Sequence, residues 1–257
     1  MKKPKILIWD IETSMQEATI RGFLNTKYPF KLKASEIKHP QKIHCIGYKW
    51  LGEKKSHVIS VHDFPSSFKK DHLDDSRVVK EFVKILKQAD ASIGHNLKSY
   101  DMGHLNARLM LEGLPAILFP HPIDTYILSR SNFQLPSQKL DEIARFAGLP
   151  VRKNPMKRED WEKCYEGDLK SFKKMAKYCK QDIELTEAVY NWIYPYVKNH
   201  PKISRIMGAT LKESHTTCPV CNSKESIKNG RIGSTTGLRQ RRICTNCGKQ
   251  WVAELIK

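Results

Sequence analysis

The 257-residue sequence has no apolar run that approaches the roughly 20 residues a membrane-spanning helix needs, so we expect no such helix. It also has no secretory signal pattern, because the apolar stretch near Met1 is short and enters acidic residues at once. Internal repeats and long low-complexity segments are absent as well. These absences predict a cytoplasmic protein built from one medium-sized domain and a smaller second unit.

Acidic residues are the scarcer charged type, since 27 Asp and Glu stand against 45 Lys and Arg and the formal net charge is +18. Such an excess favours a polyanionic partner and raises the rate of encounter with one. Basic composition alone leaves a generically basic soluble protein open. The densest basic runs are 31–38, 49–55, 152–158 and 239–242, and each by itself is typical of a solvated face.

Two of the acids lie in a distinctive place. Asp10 interrupts an otherwise apolar run, Ile6 to Ile11, and Glu12 follows it directly. This run predicts a buried strand. Residues two apart on a strand project from the same face, so the two carboxylates point together. Ionised carboxylates in such a place repel each other and lose hydration, and a bound cation removes that cost. The pair is therefore a predicted metal site.

A further acidic residue lies on a predicted helix from Asp168 to Tyr190, in which apolar residues recur at helical spacing. Tyr178 and Asp182 are four residues apart, hence neighbours on one face of that helix. A phenol beside a metal-binding carboxylate can orient an attacking water through a hydrogen bond. Its unperturbed pKa of about 10 makes it a poor general base at neutral pH.

Between these two segments the pattern alternates strands and helices. Strands are predicted at 43–51, 57–61 and 91–94. A helix capped by Asp74 or Asp75 carries an apolar stripe as far as Leu86, and another helix runs from Asp101 to Leu111. Residues 16–40 are polar and basic, so we expect an irregular insertion there. This order of elements predicts an α/β fold.

The acidic motifs, in this order, resemble those of the DEDD-type 3′→5′ exonucleases, the superfamily that includes polymerase proofreading domains. The sequence is most similar to the free-standing bacterial and phage exonucleases related to the proofreading domain of family B DNA polymerases. Lys177 occupies the position where the histidine subclass has its histidine, so the tyrosine subclass is implied. The matching positions are Asp10 with Glu12, Asn96 with Asp101, and Tyr178 with Asp182.

The resemblance implies a ribonuclease H-like domain over residues 1–195, with a mixed sheet of five strands and flanking helices. It implies hydrolysis of single-stranded DNA from the 3′ end to nucleoside 5′-monophosphates, in a bacterial or phage-infected cell. Two Mg²⁺ or Mn²⁺ ions would activate water and stabilise charge. Asp10, Glu12 and Asp182 would hold these ions. Asp101 would support the second ion through water, and Tyr178 would orient the attacking water.

Two other functions stay open. The same chemistry could act on RNA, because nothing in the sequence identifies the contacts that read a 2′-hydroxyl. The protein could instead bind nucleic acid or recruit a partner without hydrolysis. A polymerase or another replication or repair protein is the expected kind of protein partner. For the substrate, we expect the backbone amides near Thr13 and Ser14 at the terminal sugar, and Asn96 either at the substrate or bracing a helix start.

Four of the seven cysteines form two Cys-x-x-Cys pairs, the spacing of a structural zinc site: Cys218, Cys221, Cys244 and Cys247. Disulfides are the weaker interpretation in a chain without secretory features. We expect one structural Zn²⁺ in a zinc ribbon over residues 216–257, joined to the first domain by a linker over 196–215. The remaining three cysteines are expected to be buried small hydrophobes: Cys45, Cys164 and Cys179.

The expected ribbon carries a basic cluster formed by Arg239, Arg241 and Arg242. Its sequence is similar to ribbons of transposases and other DNA-handling proteins. These guanidinium groups and the Lys249 ammonium could contact phosphates, which would add affinity and salt dependence without reading the base sequence. A folding cap, or a surface that docks a protein partner, is the alternative role for the ribbon.

Overall fold

The computed structural model describes residues 4–18, 37–150, 155–197, 200, 216–234 and 237–255. Its strands are β1 (Ile6–Thr13), β2 (Glu17–Ala18), β3 (Ile37–His39), β4 (Ile43–Trp50), β5 (His57–Ser60), β6 (Ala91–Gly94), β7 (His121–Asp124), β8 (Ser226–Ser234), β9 (Gly237–Cys244) and β10 (Gln250–Leu255). Its helices are α1 (Pro65–Lys70), α2 (Ser76–Leu86), α3 (Asp101–Leu111), α4 (Thr125–Asn132), α5 (Leu140–Phe146), α6 (Arg158–Tyr165) and α7 (Leu169–Ile193). Short 3₁₀ helices lie at Val61–Asp63 and Tyr194–Tyr196.

Five strands form one mixed sheet in the order β5-β4-β1-β6-β7, which confirms the predicted fold class. The central strand, β1, pairs antiparallel with β4 and parallel with β6. On the outer side of β6, β7 pairs in parallel. A strand with neighbours on both sides and cores on both faces reads as an almost continuous apolar run, which explains the composition of residues 6–11.

The side chains of β1 enter two different cores. Residues 7, 9 and 11 belong to the first core, in which the ring of Trp9 lies 5.1 Å from the ring of Phe82 on α2. Residues 6 and 8 belong to the second core, which includes the apolar side of the C-terminal half of α7. Asp10 and Glu12 continue the even-numbered series. Both carboxylates therefore project from the sheet face that α7 covers.

The elements predicted up to residue 111 are confirmed, some with shifted ends. β1 extends two residues past Ile11, and β4 and β5 each end one residue before the predicted position. Asp75 occupies the N-cap position of α2, but its carboxylate accepts two hydrogen bonds from Arg108, at 2.7 and 2.8 Å, instead of capping the helix. Asp74 accepts the Ser76 N–H at 3.0 Å instead. The buried Arg108 guanidinium therefore binds the Asp75 carboxylate, which the sequence pattern predicts as a cap of the helix.

Helix α7 has 25 residues, and the Asp168 carboxylate caps its N-terminus by accepting the Ser171 N–H at 2.8 Å. The helix lies across β4 and β1. Gly47 of β4 permits a close approach, because a Cβ there would lie 2.7 Å from the Cys179 Sγ and 2.9 Å from Ile183. Any larger residue at this position would push α7 away from the strand that carries the predicted metal ligands.

A second, three-stranded antiparallel sheet has the order β10-β9-β8. Its small core is built around Cys218, Val220 and Cys244, with Trp251 packed against them. Tyr194, which follows the last residue of α7, packs against the same core. The three-stranded sheet therefore sits at the C-terminal end of α7.

Two expectations fall largely outside the described residues. Of the irregular insertion predicted at 16–40, the structure describes two short strands, β2 and β3, which pair antiparallel. The predicted linker at 196–215 is described at residues 196, 197 and 200. Within the described ranges, no helix has the length and apolar character required to cross a lipid bilayer.

Candidate active site

The candidate site lies where β1 meets α7. One ligand atom from each of Asp10, Glu12 and Cys179 lies within 4.8 Å of the other two, a spacing that one metal ion could bridge with small adjustments. Glu12 is 8% exposed, where an ionised carboxylate is costly to bury unless a positive charge compensates it. Carboxylate oxygens are also the ligands that Mg²⁺ and Mn²⁺ prefer. The Asp10–Glu12 pair therefore has the composition and spacing of a divalent-cation site.

Asp101, at the start of α3, lies against the same strand. Its Oδ1 accepts the backbone N–H of Ile11 at 2.9 Å, which holds the carboxylate between the two acids of β1. Burial raises the pKa of Asp101 to about 7, the hydrogen bond from Ile11 opposes the rise, and the Asp124 carboxylate adds to it. Asp101 is a neighbour of the group formed by Asp10, Glu12 and Cys179, not a member of it.

Tyr178 and Asp182 lie on α7 on either side of Cys179 in the sequence. The Cys179 Sγ is 4.0 Å from the Asp10 carbonyl oxygen, so this stretch of α7 faces β1. Asp182 is 8% exposed, and Tyr178 is half-buried with its ring edge-on to Trp161 of α6, 6.5 Å between centroids. The three acidic motifs thus converge on one region from β1, α3 and α7. Asp182, like Asp101, is outside the 4.8 Å group.

Cys179 is the residue at this site that the motifs do not indicate. The sequence predicts a buried small hydrophobe, and the side chain is indeed fully buried. Its hydrogen bond with Cys45, together with burial, raises the pKa of the Cys179 thiol well above its ordinary value. The approach of its sulfur to the carboxylates depends on the contact of α7 with Gly47. No spacing within the sequence reports that contact.

A hydrogen bond between Tyr100 and Thr13 borders the site, with 2.9 Å between the hydroxyl oxygens. Burial raises the pKa of Tyr100, the bond with Thr13 lowers it, and the carboxylates of the site, Asp101 first, raise it further. Ser14 donates its backbone N–H to the Lys42 carbonyl at 2.8 Å and accepts the Lys42 N–H on its hydroxyl at 2.9 Å. The Ser14 amide is therefore engaged with the start of β4. Both sugar contacts, at Thr13 and Ser14, stay predictions.

Asn96 acts through its backbone in this structure. It has a φ of 66°, a left-handed conformation that asparagine tolerates better than most residues, and its carbonyl accepts the Tyr100 N–H just before α3. Its own N–H donates to Asp124 at 3.0 Å. Asp124 also accepts the Lys98 N–H at 3.0 Å and caps α4. Asn96 thus has the bracing geometry, one of its two predicted roles, and Asp124 is a positioning residue that the motifs leave out.

The four ribbon cysteines form a compact sulfur cluster. The Sγ atoms of Cys218 and Cys247 are 3.5 Å apart, and those of Cys221 and Cys244 are 3.6 Å apart. A tetrahedral zinc with Zn–S bonds of about 2.3 Å holds its sulfurs about 3.8 Å apart, so this cluster fits Zn²⁺. Hydrogen bonds from Cys218 and Cys247 lower the pKa of Cys221, which favours a thiolate there. The four protein ligands fill a tetrahedral shell, as in structural zinc sites.

Polar contacts join the ribbon to the end of α7. The Tyr194 hydroxyl donates to the Cys247 carbonyl at 2.8 Å. The Lys249 ammonium donates to the carbonyl oxygens of Val197 and Tyr194. Lys249 is 5% exposed, so the prediction that it contacts phosphates is wrong, and its charge instead complements the negative end of the helix dipole. The sulfur cluster is therefore tied to the same helix that carries Tyr178 and Asp182.

The three predicted phosphate-binding arginines do not share a face of the ribbon sheet. Arg239 and Arg241 alternate along β9 with Arg242, and side chains alternate between faces along a strand. Arg242 pairs with Trp251, is half-buried and donates to the Ser226 hydroxyl at 3.3 Å. Arg239 and Arg241 occupy the opposite face, on which Arg241 is exposed and Arg239 is half-buried.

Residues 34–194 of the chain, more than half of its length, match the RNase H superfamily. The chain belongs to the RNase H superfamily. This membership agrees with the mixed five-stranded sheet, and it implies a nucleic-acid substrate and a possible nuclease activity for the superfamily domain. The sulfur cluster at 218–247 lies beyond the matched residues.

One solved structure with a similar fold is the family B DNA polymerase from the hyperthermophilic archaeon Pyrobaculum calidifontis. The TM-score is 0.54 at 15% sequence identity, and the similarity covers 91% of this chain and 31% of the polymerase chain. This RNase H superfamily protein therefore spans about a third of the polymerase's length, and the likeness concerns the fold alone. In a sequence comparison, no curated protein matches the chain.

Proposed function

We propose that this RNase H superfamily protein is a metal-dependent 3′→5′ exonuclease that degrades single-stranded DNA to nucleoside 5′-monophosphates. The observation that carries the proposal is the convergence of the acidic motifs, with Asp101 hydrogen-bonded to β1 beside Asp10 and Glu12, and Asp182 on the facing helix. Membership of the RNase H superfamily supports a nucleic-acid substrate, and DNA is the proposed class of nucleic acid.

In this proposal Asp10, Glu12 and Asp182 would hold two Mg²⁺ or Mn²⁺ ions, and Asp101 would support the second ion through water. Such ions, when bound, activate a water molecule and neutralise charge on the phosphate. The protein holds the carboxylates in a buried place, which strengthens their interaction with a cation. A cation beside Asp101 also favours its ionised form and so opposes the rise in pKa that burial causes.

Tyr178 is proposed to orient the attacking water. Its ring meets Trp161 edge-on, which restricts the direction of the hydroxyl. A phenol with an ordinary pKa of about 10 stays protonated at neutral pH, so it acts as a hydrogen-bond donor and not as the base. Thr13, through its hydroxyl bond with Tyr100, is proposed to border the terminal sugar.

The nuclease domain of the proposal covers residues 1–195, with a linker over 196–215 and a zinc ribbon over 216–257. The ribbon is proposed to add affinity for the strand through Arg239 and Arg241, which share one face of β9. Contacts of this kind neutralise phosphates and leave the base sequence unread. The net charge of +18 supports an electrostatic attraction of the whole chain to nucleic acid.

The test compares wild type with Asp182→Asn on matched 5′-labelled single-stranded DNA and RNA, in the presence of Mg²⁺ or Mn²⁺. We expect a ladder of DNA products that shortens from the 3′ end, and a loss of about a thousandfold in the variant because a metal ligand is weakened. Glu184→Gln is a matched control, since Glu184 lies on the same helix, is exposed and bonds to Ser56. It should retain full activity.

The other two functions have their own outcomes in the same experiment. Faster degradation of the RNA strand, again lost in Asp182→Asn, would replace DNA by RNA as the substrate. Absence of cleavage of either strand with any of the ions would identify a nucleic-acid-binding or recruitment protein. In that case the basic face of the ribbon, and not the acidic site, would be the functional surface.

A further inference from the structure

A thiol lies beside the carboxylates of the proposed nuclease site, and the two kinds of ligand prefer different cations. Carboxylates suit Mg²⁺ and Mn²⁺, whereas thiolates suit Zn²⁺ and similarly soft cations such as Cd²⁺. The ligand atoms of Asp10, Glu12 and Cys179 lie within 4.8 Å of one another. We propose that these three side chains form a binding site for a thiophilic divalent cation, which excludes the ions that support hydrolysis.

The spacing of the three ligand atoms is close to what such a cation requires. Zn–S bonds of about 2.3 Å and Zn–O bonds of about 2.1 Å place the ligand atoms of a tetrahedral site about 3.6 Å apart. The observed limit of 4.8 Å is about 1 Å wider, a difference that rotation of the two carboxylates can close. Three protein ligands leave the fourth position to water.

Packing keeps the sulfur in this place. Cys179 is fully buried, and its Sγ contacts the Asp10 carbonyl oxygen at 4.0 Å. The absence of a side chain at Gly47 makes room for it, because a Cβ there would lie 2.7 Å from the sulfur. Glu12 pairs with Cys45 across β1 and β4, and Cys45 is hydrogen-bonded to Cys179, so the Cys179 sulfur lies over the sheet face that carries Glu12. The sulfur is therefore pre-positioned beside the carboxylates.

A soft cation and Mg²⁺ would use this site differently. Mg²⁺ favours six oxygen ligands and retains several waters, so it does not bind the thiol. A thiophilic cation gains a bond to sulfur, and the thiol proton passes to solvent when that bond forms. Because the same cation also takes oxygens of Asp10 and Glu12, it competes with Mg²⁺. The inhibition rests on the proposed nuclease function, whereas the binding of the soft cation does not.

The binding test uses the full-length, zinc-loaded protein and titrates it with Cd²⁺ by calorimetry in buffer without Mg²⁺. We expect wild type to bind a Cd²⁺ ion that Cys179→Ala and Cys179→Ser bind about tenfold or more weakly, because one of three ligands is lost. Cys164→Ala is the matched control, since Cys164 is equally buried but lies outside the ligand group. The ribbon is the same in every variant, so exchange of cadmium at its cysteines contributes equally to each titration.

A second measurement follows hydrolysis at fixed Mg²⁺ while Cd²⁺ is increased, with each variant normalised to its own activity before cadmium is added. Half-inhibition should need more Cd²⁺ in both Cys179 variants and in wild type at higher Mg²⁺. Circular dichroism checks that each variant is folded. Equal Cd²⁺ affinity in wild type and in the folded Cys179 variants would overturn the proposed site.

The two proposals fail in different ways. Cd²⁺ binding that depends on Cys179, in a protein that hydrolyses neither DNA nor RNA, would support the soft-cation site and refute the nuclease. Hydrolysis without Cys179-dependent Cd²⁺ binding would support the nuclease and refute the soft-cation site.

Discussion

At the scale of single residues, Asp101 has a proposed metal-supporting role and a cost in stability. Its folded-state pKa of about 7 lies above the ordinary 3.8, so the folded protein binds more protons than the unfolded chain between those values. Without divalent cations, the free energy of unfolding therefore decreases as the pH rises from about 4 to about 7. Asp101→Asn removes this ionisation and should raise the free energy of unfolding at pH 8 by roughly 2 kcal/mol or more, measured by urea denaturation.

The same variant should lose hydrolysis, so stability and activity move in opposite directions. At pH 5 less than half of this loss of wild-type stability has occurred, because it accumulates between about pH 4 and about pH 7, so the difference in stability should be clearly smaller than at pH 8. Added Mg²⁺ should narrow the difference at pH 8, because only the ionised carboxylate helps to hold a cation. A stability difference that is the same at pH 5 and pH 8 would contradict the raised pKa.

Tyr178→Phe tests a role that needs only the hydroxyl group. We expect kcat to fall by about tenfold to a hundredfold because the attacking water loses an orienting hydrogen bond, while Mg²⁺ affinity stays the same. Single-turnover rates and calorimetric Mg²⁺ titration measure the two quantities. Tyr196→Phe, at a residue 72% exposed near the far end of α7, should have no effect on either. A large drop in thermal stability of Tyr178→Phe would instead show a packing role.

The sequence indicates individual acids better than it indicates their surroundings. Asp10 and Glu12 are recognisable because two charges within an apolar strand are costly to bury unless a cation compensates them. The hydrogen bond from Ile11 to Asp101 joins residues 90 apart, and no local pattern reports it. Cys179 is similar, because its fully buried position is what a packing residue would have, and only the fold places its sulfur beside carboxylates.

At the scale of elements, the close contact between β4 and α7 depends on the absence of a side chain at Gly47. Gly47→Ala introduces a Cβ that would lie 2.7 Å from the Cys179 Sγ and 3.3 Å from the Cys179 carbonyl oxygen, so the helix must shift. Overpacking of this kind costs about 1 to 3 kcal/mol. We expect lower stability by chemical denaturation together with weaker Mg²⁺ binding, because α7 moves away from β1.

Gly103→Ala is the matched control for that change. Gly103 lies in α3, and a Cβ there would meet nothing within 4 Å. The substitution should stabilise the protein by up to about 1 kcal/mol, since alanine loses less backbone entropy than glycine in a helix. If Gly47→Ala were as harmless as Gly103→Ala, the close approach of α7 to β4 would not be needed.

The sequence predicts well those elements in which apolar residues recur at a regular spacing over many residues. α3 has the predicted bounds, whereas α7 begins one residue after the predicted start, with Asp168 as its N-cap, and has three further residues at its end. Shorter elements such as β7, which contains Pro122, and the seven-residue α5 have too few residues to show a period. The separation of Arg242 from Arg239 and Arg241 follows once residues 237–244 are known to form a strand, whereas the placement of Arg242 opposite Trp251 depends on the pairing of β9 with β10.

At the scale of the whole molecule, the ribbon and the nuclease fold share the end of α7. Removing zinc with a selective chelator, in the presence of Mg²⁺, should unfold the ribbon, because such modules depend on their metal. Hydrogen exchange should then increase in β8, β9, β10 and the last turn of α7, while β1 and β4 stay protected. Faster hydrogen exchange confined to the ribbon would contradict a structural coupling of the ribbon to α7 through the contacts of Tyr194 and Lys249, which we call the joint.

The joint itself can be measured with a pair of substitutions. Tyr194→Phe removes the hydroxyl that donates to the Cys247 carbonyl and should destabilise the zinc-loaded protein by about 1 kcal/mol. The same change in a Cys244→Ser background, where zinc is weakly held, should have little effect, because the carbonyl is no longer kept in place. Equal effects in both backgrounds would show that the bond is independent of the metal.

The length of helix α7 also determines how long a nucleic-acid strand must be to reach from the proposed active site to the ribbon. At 1.5 Å per residue, Asp182 and Tyr194 are about 18 Å apart along the helix axis, which a strand stacked as in B-DNA, with 3.4 Å between nucleotides, covers in about five nucleotides. A strand whose 3′ end lies at Asp182 must be longer than that to touch both units. As digestion proceeds, each substrate should therefore lose its hold on the ribbon at about the same remaining length, and dissociation of short remnants should set the size of the final product.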